Sequence, residues 1–428
     1  MREKIRSKIY WRKLDDQAKV FSLASNSQYS SIFRLSVLLK ETINAEILQK
    51  ALELTLEKYK IFNVKMKRGL FWYYLEENEK KPIVTQEDEY PFKKINTKDN
   101  NEFLFKVTYF ENKINVDFFH ALTDGNGGTE FLKELLYRYL EIKYANQLKK
   151  MKLKEEKILE SSENAYIKNY KKHSKKMYIS KKAYMIAGED LPKGEVGINH
   201  FNINLKAIKK VTKEKECSLS MLLVAMIAYS IYETNYKINE GKRPINICVP
   251  IDLNKYFRTE TKSNFFSYMT INIYLKINKI YTLDDVLKMV KKEFDKKLKI
   301  ERIIETISSD AGMTNNIFVR IVPLFLKKLL VRLGSLEVKR YATLTFSNIG
   351  RFEIDNEYKK YIENFLVILA PDWAEKIKCG VCSFEDNLVV TFGTKIKDCL
   401  IEKRFKELLI EDKINFKIEG NGVNVISD

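Results

Sequence analysis

Phe118-Phe-His-Ala-Leu-Thr-Asp-Gly-Asn-Gly-Gly128 joins an alternating apolar run to a helical one, and it holds His120, Asp124 and Gly125, on which the reading of this chain turns. Ile114-Asn-Val-Asp-Phe118 before it alternates as a strand does, so His120 shares parity with Ile114, Val116 and Phe118 and points to their apolar side. An imidazole, with its reference pKa of about 6.5, can there take a proton from a hydroxyl or an amine. A core histidine satisfied by a backbone carbonyl is the alternative reading. Asp124 followed by Gly125 suits a tight turn with the carboxylate folded back on the loop, and Gly127 and Gly128 let the backbone enter the next helix. Asp124 is thus a brace rather than a second acid. The loop lacks the Lys-Ser/Thr ending of a P-loop and the G-x-G-x-x-G spacing, which excludes a nucleotide loop.

Outward from this turn, strand and helix patterns alternate. Ser31–Leu39 reads as a strand, Asn44 as an N-cap, and Ala45–Tyr59 as a helix with Ile47, Leu48, Ala51, Leu52, Thr55 and Leu56 on one face. The aromatic-rich Val64–Glu76 follows, then Phe103–Phe110 and Ile114–Phe119 as a hairpin, and a helix from about Gly128 to Tyr144. Residues 149–182 are dense in Lys, Glu and Ser and read as a solvated crossover, so the expected division is a lobe over 1–182 and a second over 183–428. The run Lys171-Lys-His-Ser-Lys-Lys176 reads as solvated surface rather than an anion site.

In the second part, Val196–Leu205, Ile245–Pro250, Tyr268–Ile277, Ala342–Phe346, Phe365–Leu369, Ile377–Phe384 and Leu388–Phe392 read as strands. Leu205–Lys215, Ser218–Tyr236, Leu283–Leu298 and Ile401–Leu409 read as helices. Phe110-Glu-Asn-Lys-Ile-Asn-Val-Asp-Phe-Phe119 and Phe384-Glu-Asp-Asn-Leu-Val-Val-Thr-Phe-Gly393 are both hairpin turns with a return strand that leads into a helix, as in a diverged repeat. Ten residues after Phe384 stands Thr394, so one copy alone carries the histidine. Two such lobes make a cleft between them.

The 428 residues carry 76 Lys and Arg against 57 Asp and Glu, a formal charge of +19, and 45% are apolar. That composition excludes a disordered chain and a membrane bundle. Met221–Tyr229, the longest apolar stretch, is too short to span a bilayer, and the N-terminus lacks the apolar core of a secretory signal, so the expectation is a cytoplasmic protein without membrane insertion. Only 14 of the basic residues are Arg, which argues against nucleic acid and leaves anionic small substrates or an acidic carrier as partners. Five cysteines make no disulfide framework, and Cys379-Gly-Val-Cys382 reads as strand cysteines rather than a metal site.

An H-x-x-x-D-G turn between strand and helix, in a chain of this length, resembles the acyltransferase superfamily that includes chloramphenicol acetyltransferase, peptide-synthetase condensation domains and the bacterial and fungal alcohol O-acetyltransferases. Trp11-Arg-Lys-Leu-Asp15, Phe71-Trp-Tyr-Tyr74, Val249-Pro-Ile-Asp-Leu253 with Asn264-Phe265, Arg320-Ile-Val-Pro-Leu-Phe325 and Thr345-Phe-Ser-Asn-Ile-Gly350 are similar to the alcohol acetyltransferase branch, in the expected order. The resemblance implies a mixed α/β fold of two lobes, each a mixed sheet flanked by helices and built like one chloramphenicol acetyltransferase protomer, with a tunnel between them. It implies that His120 would deprotonate an acceptor hydroxyl, less often an amine, for attack on the thioester carbonyl of acetyl-CoA or another acyl-CoA, without a covalent acyl-enzyme or a metal.

By the same resemblance Asp124 and Gly125 are structural, with Asp124 paired to an arginine of the second lobe. The family carries that arginine just after the Val-Pro-x-Asn/Asp-Leu segment; here Asn254 stands there, leaving Lys255 and Arg258 as candidate partners. Ser347 and Asn348, where the family closes the tunnel, are candidates for oxyanion stabilisation, equally readable as a structural turn. Phe71–Tyr74 and Phe118-Phe119 read as acceptor-pocket lining or as ordinary core. Two alternatives stand beside the CoA-dependent enzyme. One is a condensation-type transferase fed by an acyl carrier protein, although Phe119 occupies the first of the two histidine positions common in those domains. The other is a non-catalytic binding protein that keeps the shell. Two lobes in one chain make a monomer the expected state.

Overall fold

Strand patterning dominates the chain between its helices, and it resolves into two large sheets. The computed structural model describes residues 11–426 except 26–30, 89, 93, 94, 96–98, 149–165, 167–180, 258–262, 277, 316 and 425. A small sheet has the order β1 (Trp11–Lys13), β4 (Tyr73–Glu77), β3 (Val64–Arg68). The sheet of the first lobe runs β12 (Ile362–Leu369), β2 (Ile32–Leu39), β7 (Lys113–Phe119), β6 (Phe105–Phe110), β5 (Val84–Gln86). The second lobe's sheet runs β10 (Phe266–Ile273), β9 (Ile245–Asp252), β11 (Leu344–Arg351), β13 (Ile377–Phe384), β14 (Asn387–Thr394), β8 (Gly197–Asn204), β15 (Phe416–Gly420). Parallel and antiparallel pairs are mixed in both large sheets. The architecture is thus two-lobed and mixed α/β.

Local chemistry explains most element ends. The Asn44 side chain accepts from the Ile47 amide and starts the helix Ala45–Lys58, which packs on Gly125–Lys143. Thr282 and Asp285 form a reciprocal capping box at the start of Leu283–Lys297. The apolar stretch around Met221–Tyr229 lies in the helix Leu219–Ile231, whose residues from Leu222 to Ala228 are all buried, so its continuous hydrophobicity belongs to a core helix. Among the described residues no single helix is long and apolar enough to cross a membrane. Val64–Glu76 is broken into a hairpin by Gly69, where an added Cβ would lie 2.6 Å from the Trp72 carbonyl oxygen. The helices Ile300–Asn315, Ile317–Ile321 and Leu324–Val338 were not anticipated from periodicity. Almost all of the basic crossover, 149–182, and its Lys171–Lys176 run lie outside the described residues.

The two matched hairpins are built alike. β6–β7 and β13–β14 each turn through two residues, with Glu111 at φ 50° and Glu385 at φ 51° in the left-handed region that such turns require. The lobes are not separate in sequence, because β12 from the second half hydrogen-bonds along β2 at the edge of the first sheet. β12 also packs across β13 and β14, and the backbones approach so closely that a Cβ on Gly380 would lie 2.3 Å from the Val367 oxygen. The Cys382 thiol donates to the Phe365 carbonyl at 3.0 Å in the same seam. Gly380→Val is therefore expected to destabilise the whole molecule by about 3 kcal/mol or more, since a backbone rather than a rotatable side chain must move. Denaturant unfolding of the purified variant measures this, and an unchanged midpoint would contradict the seam.

Candidate active site

Asp124 caps the helix Gly125–Lys143, which begins three residues earlier than the periodicity suggested because the cap precedes the first apolar position. One carboxylate oxygen accepts from the amides of Asn126 at 3.1 Å and Gly127 at 3.0 Å. The other accepts from the amide of Phe265, 2.9 Å away, at the entrance to β10 in the second lobe. Burial pushes the Asp124 carboxyl up to about 6, opposed by those amides and reinforced by Asp252. Gly125 lies against the second lobe too: a Cβ there would stand 3.3 Å from Ile349 Cγ2.

His120 follows directly on β7, and its amide donates to the Ser31 carbonyl at 2.9 Å. The ring stacks on Phe21 at 4.7 Å between centroids and sits against Phe33 at 4.5 Å and Phe266 at 5.9 Å. Its Nδ1 is enclosed with no partner at hydrogen-bond geometry. Burial pushes the imidazole pKa down to about 4; the Lys378 ammonium adds to this, and the Thr123 backbone and Asn264 side chain oppose it. At neutral pH the ring is therefore uncharged.

Segments remote in sequence hold this strand end. The Asn264 amide group donates to the His120 carbonyl at 2.9 Å and to Asp15 Oδ2 at 3.1 Å. Asp15 caps the helix Asp16–Ala24 that carries Phe21, and burial pushes its carboxyl up to about 6. The Tyr166 hydroxyl donates to the Phe266 carbonyl at 2.7 Å and accepts from the Phe266 amide at 2.9 Å, fixing the third ring beside the imidazole.

A cavity of about 1080 Å³ opens between the lobes, with His120, Asp124 and Gly125 on one wall and Ser347 and Asn348 on the other. The Asn348 side-chain amide donates to Ser220 Oγ at 3.1 Å, and its oxygen accepts from Gly350, whose φ of 86° tightens the turn. Asn348 is thus engaged within its own lobe, while Ser347 borders the cavity. Lys255 is exposed at the rim, and Arg258 lies outside the described residues; the three contacts resolved for the Asp124 carboxylate are backbone amides. Phe71–Tyr74 and Phe118 do not line the cavity, whose aromatic lining comes from Phe21, Phe33, Phe92, Phe266, Tyr268, Tyr341 and Trp373. Cys379 and Cys382 are buried in β13, and no group of three or more His, Cys, Asp or Glu able to hold a metal occurs among the described residues.

Several participants carry no motif. Lys378, which faces Asp372 at 3.2 Å and biases the imidazole, sits in an ordinary strand, and Phe21 in an ordinary amphipathic helix. Asn264 lay within a segment singled out by resemblance, but nothing local to it signalled contact with His120.

The chain is similar in fold to several solved structures. With polyketide synthase associated protein 5 from Mycobacterium tuberculosis the TM-score is 0.61 at 13% identity, over 93% of this chain and 96% of that one. With the trichothecene 15-O-acetyltransferase of Fusarium sporotrichioides it is 0.61 at 10%, over 95% and 94%. With the starter condensation domain of rhizomide synthetase, solved with C8-CoA, it is 0.59 at 10%, over 95% and 98%. The fold is thus shared with a solved acetyltransferase and a solved condensation domain. At the level of sequence, no family model and no curated protein matches the chain.

Asp124→Ala strips three amides of their acceptor, two of them buried and one of these across the lobe boundary. At about 1–3 kcal/mol for each orphaned donor, a loss of about 3 kcal/mol or more in unfolding free energy is expected. Calorimetry of the variant checks this, and a loss no larger than about 0.5 kcal/mol, typical of a surface change, would remove the brace role.

Proposed function

We propose that this chain is an acyltransferase that moves an acyl group from a CoA thioester to a hydroxyl acceptor held in the interlobe cavity, with an amine as a secondary acceptor class. The observation that carries the reading is a neutral imidazole walled by aromatic rings at the junction of two lobes, opening on a cavity large enough for two substrates. The likeness in fold to an acetyltransferase and to a condensation domain solved with C8-CoA supports it.

In this mechanism His120 accepts the acceptor's hydroxyl proton as the oxygen attacks the thioester carbonyl. The tetrahedral oxyanion collapses, the carbon–sulfur bond breaks, and the thiolate leaves as CoA after recovering the proton from the imidazolium. The Ser347 hydroxyl, across the cavity, is the candidate donor to the oxyanion. Asp124 and Gly125 act by shape: they fix the turn after His120 against the second lobe, Asp124 through the Phe265 amide and Gly125 by its close approach to Ile349. The Phe21, Phe33 and Phe266 rings exclude water, so that imidazole and thioester meet in a medium of low polarity.

Thiol release from acetyl-CoA and a longer acyl-CoA, with a panel of alcohols and amines, tests the reading directly. His120→Ala is expected to lower acceptor-dependent release by about 10²–10⁴-fold, the usual contribution of general-base catalysis, while melting and thioester binding stay close to wild type. Release that is equal in both proteins would reject His120 as the base. Binding of acyl-CoA without turnover for any acceptor would favour a binding protein.

The pH profile gives an independent check. Because the folded imidazole titrates at about 4, the acid limb of kcat/KM is expected well below 6.5, with activity falling as pH drops through that lower value. Lys378→Met removes a like charge and leaves the Asp372 carboxylate, so both changes favour the imidazolium and move the limb upward. A limb that stays in place in this variant would show that Lys378 does not act on the imidazole.

A further inference from the structure

The helix Leu324–Val338 is packed with its apolar side outward. Among the described side chains of this helix, the buried ones are Leu324 and Lys327, with Val331 partly covered one turn on. Phe325, Leu329, Leu330 and Leu333, four large apolar side chains, are each more than half exposed, with Leu326 beside them. The patch extends past the helix. Ile321 just before it and Leu70 at the β3–β4 hairpin tip are more than half exposed, and the Leu324 amide donates to the Leu70 carbonyl at 2.9 Å. Lys327 clips the two together: its ammonium lies 3.7 Å from the centre of the Trp72 ring and donates to the carbonyls of Phe71 at 2.9 Å and Arg320 at 3.2 Å. An ammonium turned inward, with leucines turned to water, inverts the ordinary order of burial.

A contiguous apolar patch of this kind on a folded surface marks an interaction site. Its rim is cationic: exposed Arg68 and Arg320 and partly covered Lys328 border it, while the nearby Glu337 is paired with Lys182 and Arg340. The whole chain carries +19. A second copy would set like charge against like, whereas a layer with an apolar interior and anionic head groups matches both features. Protruding aliphatic and aromatic side chains on a helix and an adjoining hairpin tip also suit a deformable layer, which needs no complementary shape.

We propose that this face docks the protein on an anionic lipid surface, with Phe325, Leu329, Leu330 and Leu333 entering the acyl boundary and Arg68, Arg320 and Lys328 meeting the head groups. The docked helix packs on Asp16–Ala24, and Gln17, Val20 and Phe21 of that helix line the interlobe cavity. Two packed helices therefore stand between the lipid and the cavity. Docking is independent of whether the chain transfers an acyl group.

Co-sedimentation of the full chain with phosphatidylcholine vesicles, with and without about one-third phosphatidylglycerol, tests the proposal. Binding is expected to the anionic vesicles alone and to weaken in salt. Phe325→Glu with Leu329→Glu is expected to lower it about tenfold or more, with an unchanged melting temperature because both positions are exposed. In a separate Phe325→Trp variant, fluorescence is expected to shift to the blue on vesicle addition and to be quenched by lipids brominated on their acyl chains. Failure to bind anionic vesicles, or binding untouched by the double substitution, would overturn the proposal. So would a solution dimer that the double substitution separates, since the face would then belong to a second copy.

Discussion

The cleft depends on one buried carboxylate. Asp124 accepts from two amides of the helix it starts and from the Phe265 amide of the other lobe, so the same group ends a strand, begins a helix and ties the lobes. Backbone amides are fixed donors, and they orient the turn more sharply than a long cationic side chain would. The arrangement costs something electrostatically: burial outweighs the amides and raises the carboxyl to about 6. Around it the contacts close on one another. Phe265 leads into Phe266, which Tyr166 grips, and Asn264 just before it bonds the His120 carbonyl.

The imidazole is held in a state suited to taking up a proton. Three rings remove water from one side of it, and desolvation keeps it neutral far below the usual imidazole range. An imidazole of such low proton affinity is by itself a weak base. Lys378 contributes to the low affinity through space while its ammonium pairs with Asp372.

The lobes share a matched hairpin and are interlocked. Matched hairpins with a left-handed Glu at each turn recur in both, but only the first continues into His120, and β12 leaves the second half to complete the first sheet. Gly380 and Gly393 let that strand cross β13 and β14 at backbone contact, so the seam is set by the absence of side chains. The outward-facing apolar side of Leu324–Val338 is a different departure from burial, located where the molecule meets its surroundings.

Much of this was legible in the residues themselves. Alternation marked Ile32–Leu39 and Ile377–Phe384, the Asn44 cap marked a helix start, and the histidine, aspartate and glycines of one turn marked both the fold and the candidate base, because these signals act over a few residues. The helix Leu324–Val338 was not read from the sequence, and periodicity is in any case blind to whether an apolar side faces inward or outward. The Phe265 amide that holds Asp124 is a backbone group, identical at every position but proline, and leaves no mark in a sequence. Asn264 meets Asp15 across 249 positions, and Phe21, Phe266 and Lys378 reach His120 from three other elements. Local chemistry thus determined the turn and its histidine, while its water exclusion, its proton affinity and its brace arose only when distant segments packed around it.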